Sequence, residues 1–173
     1  MGLKLISNFV LEAELDTDSA RFARAFRSTW KKIPFSWRRR ILAHWHRPSR
    51  VIGKRKGPRI ILRAKVFDRG SLKNPRFKND ATFAMASRSG DFLQFLAPAF
   101  DRMPLRIAEA VIAHELAHVV QFEANLWSCT RLEREADIIA LAWGFPIYEV
   151  DEWAQGRIAR YRHGLPVWRK RAG

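Results

Sequence analysis

A chain of 173 residues is the size of one domain, or of one domain with extensions, and its 47% apolar content is enough to fill a real core. No apolar run approaches the roughly 18 residues a membrane helix needs, and the opening MGLKLISNFVLEAEL meets acidic side chains where a leader would stay apolar, so neither membrane spanning nor secretion is expected. The net charge of +15 is segregated: residues 101–152 carry ten acidic against four basic side chains, a balance of −6, which leaves +21 for the remainder.

The lone Cys129 can form no internal disulfide, in keeping with a reducing, cytoplasmic setting. Basic side chains concentrate in an early stretch (Arg21, Arg24, Arg27, Lys31, Lys32, Arg38, Arg39, Arg40, Lys54, Arg55 and Lys56) and in the tail from Arg157 to Arg171. Such flanks attract polyanions through counterion release, so nucleic acid or an acidic protein is an expected partner. Trp30, Trp37 and Trp45, interleaved with the early charges, suit either packing on amphipathic helices or stacking on bases, and a solvated face without a partner stays open.

In chain order, Asp16 and Thr17 offer a cap to a helix over 18–31, and Pro34 with Ser36 opens a second, WRRRILAHWH, that ends before Pro48. After the basic loop GKRKGP, the segment PRIILRAKVF predicts a β-strand. The turn-rich DRGSLKNPRFKND follows, and ATFAMASR and FLQFLAP predict two further strands around Ser89, Gly90 and Asp91. Three strands make one small sheet. From Pro104 onward, LRIAEAVIAHELAHVVQFEANLW continues without Gly or Pro and predicts one long helix. Thr130 and Glu133 form a capping box for a last helix, LEREADIIALAW, which stops at Gly144 and Pro146. The fold class is therefore α+β.

The long helix carries the chemistry. Within AVIAHELAHVVQ, residues 110–121, His114 and His118 stand four apart and share one helix face, close enough for two imidazoles to reach one ion, with Glu115 beside the first. This is H-E-x-x-H, in which two histidines bind zinc and the glutamate serves as general base for a water. Catalytic zinc takes a third protein ligand. In EREAD, Glu133 and Asp137 share a face while Glu135 lies about 200° round the helix, so Glu133 is the expected ligand and Asp137 the acceptor for the free nitrogen of a ligand histidine. His44 and His46, two apart, point to different sides and are assigned no metal.

HELAH followed after fourteen intervening residues by EREAD resembles the gluzincin zinc peptidases, which carry H-E-x-x-H and then E-x-x-x-D on the next helix. The closest likeness is to the minigluzincins and the related membrane-linked and repressor-cleaving peptidase families, over roughly residues 59–145. The resemblance implies that His114, His118 and Glu133 hold Zn2+, that Glu115 activates the water and shuttles its proton, and that Asp137 supports a ligand histidine. It also implies a three-stranded sheet packed on the two helices, with the strand nearest the cleft accepting an extended substrate. The basic N-terminal helices and tail depart from that pattern. Gln121 and Ala124 stand where a metzincin has Gly and a third His, which excludes that variant.

The expected organisation is a basic helical extension over 1–58, a zinc peptidase core over 59–147 and a basic tail over 148–173 packed on the core. The expected activity is a cytoplasmic zinc metalloendopeptidase acting on a protein or peptide, with Tyr148, Tyr161, His163 or a tail arginine as candidates to stabilise the oxyanion. The alternative is a protease docked on nucleic acid through its basic arms, for which His163 followed by Gly164 is similar to the SprT-like peptidases.

Overall fold

A computed structural model of the chain describes residues 2–6, 9–13, 20–46, 59–63, 84–87, 92–123, 132–150 and 152–153. Five strands, β1 (Gly2–Ile6), β2 (Phe9–Ala13), β3 (Arg59–Arg63), β4 (Ala84–Ala86) and β5 (Phe92–Leu96), form one mixed sheet in the order β1-β2-β3-β5-β4. The helices are α1 (Ala20–Lys32), α2 (Phe35–His46), the short α3 (Ala97–Phe100), α4 (Leu105–Glu123) and α5 (Leu132–Ala142). No helix among the described residues is long and apolar enough to cross a membrane.

The β3–β5 pair is covered on both sides. In the parallel β3–β5 pair, Ile60 is opposite Leu93 and Leu62 opposite Phe95, all four fully buried in the main core. Ile61 and Gln94 alternate to the other face and are buried as well, as continuous burial in an interior parallel strand requires. β4 pairs antiparallel with β5 and forms the edge of the sheet, and Ser87 closes this pair by donating its backbone N–H to the Phe92 carbonyl.

α1 is amphipathic, and Phe22, Phe26 and Trp30 recur every four residues on its buried face. Phe22 packs on Phe95 of β5 with centroids 4.9 Å apart and edge-on against Phe100 at 5.1 Å, an arrangement that aromatic quadrupoles favour. Ile33 is driven out of helical geometry by the following Pro34, whose carbonyl then accepts the Trp37 and Arg38 N–H groups and starts α2. α4 is apolar nearly all round because it packs against α1, α2, α5 and β4 at once. The Thr29 hydroxyl, which donates to the Ala25 carbonyl at 2.9 Å, lies 3.3 Å from the Glu109 carbonyl, and Lys32 pairs at 2.5 Å with the buried Glu109 carboxylate, which ties α1 to α4 beside the core.

α5 stops where its sequence says it should. Gly144 takes φ +87°, its N–H donates to the Leu141 carbonyl, and the Phe145 N–H donates to that of Ala140, the paired bonds of a Schellman cap. The chain then continues through 147–150, held against the start of α4 by Arg106 and Glu149 at 2.6 Å.

The three strands expected between 58 and 98 lie side by side as β3, β5 and β4, and the α+β class holds. The sheet is wider than expected, because β1 and β2 form an antiparallel pair and β2 joins β3 in parallel. Two five-residue segments, GLKLI and FVLEA, flank Ser7 and Asn8 with the length and punctuation of a hairpin, but only distant β3 offers them a sheet to join. The segment 1–58, expected as a helical extension, thus supplies two strands as well as α1 and α2, and Phe22, Phe26, Trp30 and Ile41 share one core with α4. Ala97 and Pro98, expected at the end of a strand, begin α3 instead, since Pro98 has no N–H for a ladder but fits a first helical turn. Asp16, Thr17, Thr130 and residues 124–127 of the expected motif helix lie outside the described residues.

Candidate metal centre

The local spacing brings the two histidines together: their rings on α4 stand edge to face, centroids 4.7 Å apart, with Nε2 to Nε2 at 3.1 Å. α5 packs across α4 and brings Glu133 to them, its Oε2 3.3 Å from Nε2 of His114 and 3.7 Å from Nε2 of His118. Three ligand atoms from His114, His118 and Glu133 therefore converge within 4.8 Å, a group that can hold a metal ion. Donors about 2.0–2.1 Å from a tetrahedral zinc sit roughly 3.3–3.4 Å from one another, and the separations of 3.1, 3.3 and 3.7 Å bracket that edge. Two imidazoles and a carboxylate also match the chemistry of a three-ligand zinc site with an open position. Glu135 and His44 are outside the group.

The second nitrogen of each imidazole is held. Nδ1 of His114 lies 2.7 Å from Oδ1 of Asp137 and donates to it, as expected from the shared face of Glu133 and Asp137. His118 is held by Gln121, a residue that in sequence marks only the departure from the metzincin pattern. Nδ1 of His118 is 2.7 Å from Oε1 of Gln121, and Nε2 of Gln121 donates at 2.7 Å to the Leu132 carbonyl at the start of α5. Because the Leu132 carbonyl can only accept, the amide must turn its NH2 towards it and its oxygen towards the ring. His118 then carries its proton on Nδ1 and presents Nε2 to the donor cluster. Gln121 is fully buried. The sequence signal was present, since Gln121 is three residues past His118 and hence its neighbour on the helix surface.

Glu115 is buried on α4 next to the two histidines, and the Ala86 N–H of the edge strand β4 donates to its carboxylate. Burial pushes the Glu115 carboxyl upward, the charges of His114 and His118 pull it back in part, and Glu133 adds to the rise. Burial works against a charge on His114, but hydrogen bonds to Asp137 and Glu133 and the Glu115 charge outweigh it and lift its pKa to about 10. The Nε2–H of His114, 3.3 Å from Oε2 of Glu133, and the nearby His118 ring hold that carboxyl well below the usual carboxylate range. Without metal, the cluster thus retains a proton between His114 and Glu133, at the point where all three donors converge.

Of the oxyanion candidates, Tyr148 is 72% exposed in the segment that Glu149 anchors to the start of α4. Tyr161, His163 and the tail arginines lie outside the described residues. Comparison with protein-family models, curated proteins and solved structures finds no match to this chain.

Proposed function

We propose that the chain is a zinc-dependent metallopeptidase that hydrolyses a peptide bond in a protein or peptide substrate. The observation that carries this reading is the convergence of two Nε2 atoms and one Oε2 atom at separations that fit a tetrahedral ion, with the buried Glu115 carboxylate beside them. Zinc held by His114, His118 and Glu133 would supply Lewis acidity, polarising a carbonyl and easing the deprotonation of water.

The chain's own residues would do the rest. Glu115 is not among the donors, and a purely structural metal site has no use for a buried carboxylate next to it. Burial raises its pKa and makes it a better proton acceptor than a solvated carboxylate, suited to taking a proton from water and returning it to a leaving nitrogen. The Ala86 N–H would hold that carboxylate while it works. Asp137 and Gln121 would keep both imidazoles in the tautomer that offers Nε2. The lone Cys129 supports a cytoplasmic location.

The test combines metal content with hydrolysis of a peptide library. One zinc per chain is expected, with most of it lost in His114→Ala, His118→Ala or Glu133→Ala and retained in Glu135→Ala. Glu115→Gln should keep the metal and the fold but abolish hydrolysis, and undiminished turnover in that variant would refute the mechanism. Full zinc retention in Glu133→Ala together with loss in His163→Ala would move the third ligand to the SprT-like pattern.

A further inference from the structure

Residues 20–46, which hold α1 and α2, contain eight basic side chains and no acidic one. Several of these cations are engaged within the fold. Arg21 donates to the carbonyls of Asp101 and Met103, Lys32 pairs with Glu109, Arg38 lies over the Phe35 ring and Arg40 over Trp37. Arg24, Arg27 and Lys31 differ from them. All three are exposed, and none has a hydrogen bond or ion pair among the described residues. At 100° per residue they fall within about 60° of arc, and at 1.5 Å per residue they run along roughly 10 Å of the α1 axis. α1 buries its opposite face against α4 and β5, so this stripe looks outward, away from the metal centre.

We propose that the outer face of α1 binds the phosphate backbone of a single-stranded nucleic acid through Arg24, Arg27 and Lys31, with an unpaired base stacking on the face of Phe35 opposite Arg38. Phosphates repeat along a strand, and a row of cations on one helix face meets them in succession. Phe35 opens α2 just after the stripe ends and is 67% exposed, although large apolar side chains are costly to leave in water. An unpaired base can stack on such a ring beside a cationic track, and an acidic protein side chain gains nothing from it. Insertion of α1 into a membrane interface as an amphipathic helix is ruled out by packing, because the apolar face that would enter it, Phe22, Phe26 and Trp30, is buried in the core.

The proposal does not rest on the peptidase reading, and its test is separate. Fluorescence anisotropy of a labelled single-stranded 20-mer, titrated with the full chain at increasing salt, reads both affinity and its salt slope. Binding should weaken steeply with salt. The combined substitution Arg24→Ala, Arg27→Ala, Lys31→Ala should lower the slope by about 0.7 for each of the three phosphates, while the zinc content stays at the wild-type level. Phe35→Ala should weaken binding roughly tenfold at unchanged slope, as loss of one stacked base predicts. Glu115→Gln should bind like the wild type. The proposal is overturned if no salt-dependent complex forms or if the triple variant keeps the wild-type slope. It is also overturned if Phe35→Ala binds as tightly as the wild type, or if polyglutamate of equal charge binds as tightly as the oligonucleotide.

Discussion

The side chain with the largest untested consequence is Gln121, and replacing it with leucine would separate its two contacts from its packing. The amide is fully buried, accepts from Nδ1 of His118 and donates to the Leu132 carbonyl, each at 2.7 Å. Leucine has a comparable volume and no polar atom, so Gln121→Leu strands the buried imidazole N–H of His118. Leaving such a group without a partner costs about 1–3 kcal/mol. The Leu132 carbonyl, at the first residue of α5, keeps its intrahelical bond and adds little. The metal-free protein should therefore lose roughly 1–3 kcal/mol in urea unfolding. Zinc affinity should fall separately, because the ring of His118 is no longer held with Nε2 towards the cluster, and loss of such an outer hydrogen bond typically weakens a site 10- to 100-fold. Gln121→Glu keeps an acceptor for His118 but cannot donate to Leu132 when ionised, so it should restore much of the zinc affinity and part of the stability. Competition with a chelator of known affinity measures the first quantity and urea titration of the metal-free protein the second. If Gln121→Leu bound zinc as tightly as the wild type, His118 would be oriented by packing alone and the argument from the amide would fail.

Other predictions follow from the charge state of the cluster and from the cap of α5. At pH 7 metal-free His114 is protonated, because its pKa is lifted to about 10, so zinc binding should release about one proton and the apparent affinity should rise about tenfold per pH unit below that value. Calorimetry in buffers of different ionisation enthalpy reads this release, and an equal heat in all of them would contradict it. The raised His114 adds stability to the metal-free fold that is complete below 6.5 and is lost as pH rises through about 10. The depressed Glu133 adds stability that is complete above 4.5 and is lost on acidification. The raised Glu115 costs stability as pH climbs above 4.5, in the same sense as His114, so urea midpoints of the metal-free protein should be highest towards the lower end of the 4.5–6.5 window, and a maximum above pH 8 would refute the assignment. Gly144→Ala should cost about 1–2 kcal/mol in thermal unfolding, from backbone strain alone, because nothing lies within 4 Å of an added Cβ at φ +87°.

What the sequence determined by itself was local. The i, i+4 spacing of His114 and His118, the shared face of Glu133 and Asp137, the stop at Gly144 and the apolar face of α1 depend on helical geometry within a few residues, and all of them are legible as periodicity or punctuation. The third donor was legible for the same reason, once the two motifs were read as consecutive helices. Tertiary structure decided the contacts whose partners are chemically unspecific or distant in the chain. Gln121 is an ordinary polar helix residue until the Leu132 carbonyl of α5 reaches it and fixes which end of its amide faces His118. The strand pair at 2–13 becomes part of a five-stranded sheet only because β2 lies parallel to β3, far along the chain. Glu109 and Lys32 are two unremarkable charges in sequence and become a pair because α1 crosses α4 at that level. The same packing decides which cations of α1 are consumed inside the fold and which remain on its outer face. Backbone hydrogen bonds and side-chain amides accept many partners, so only the assembled packing selects among them.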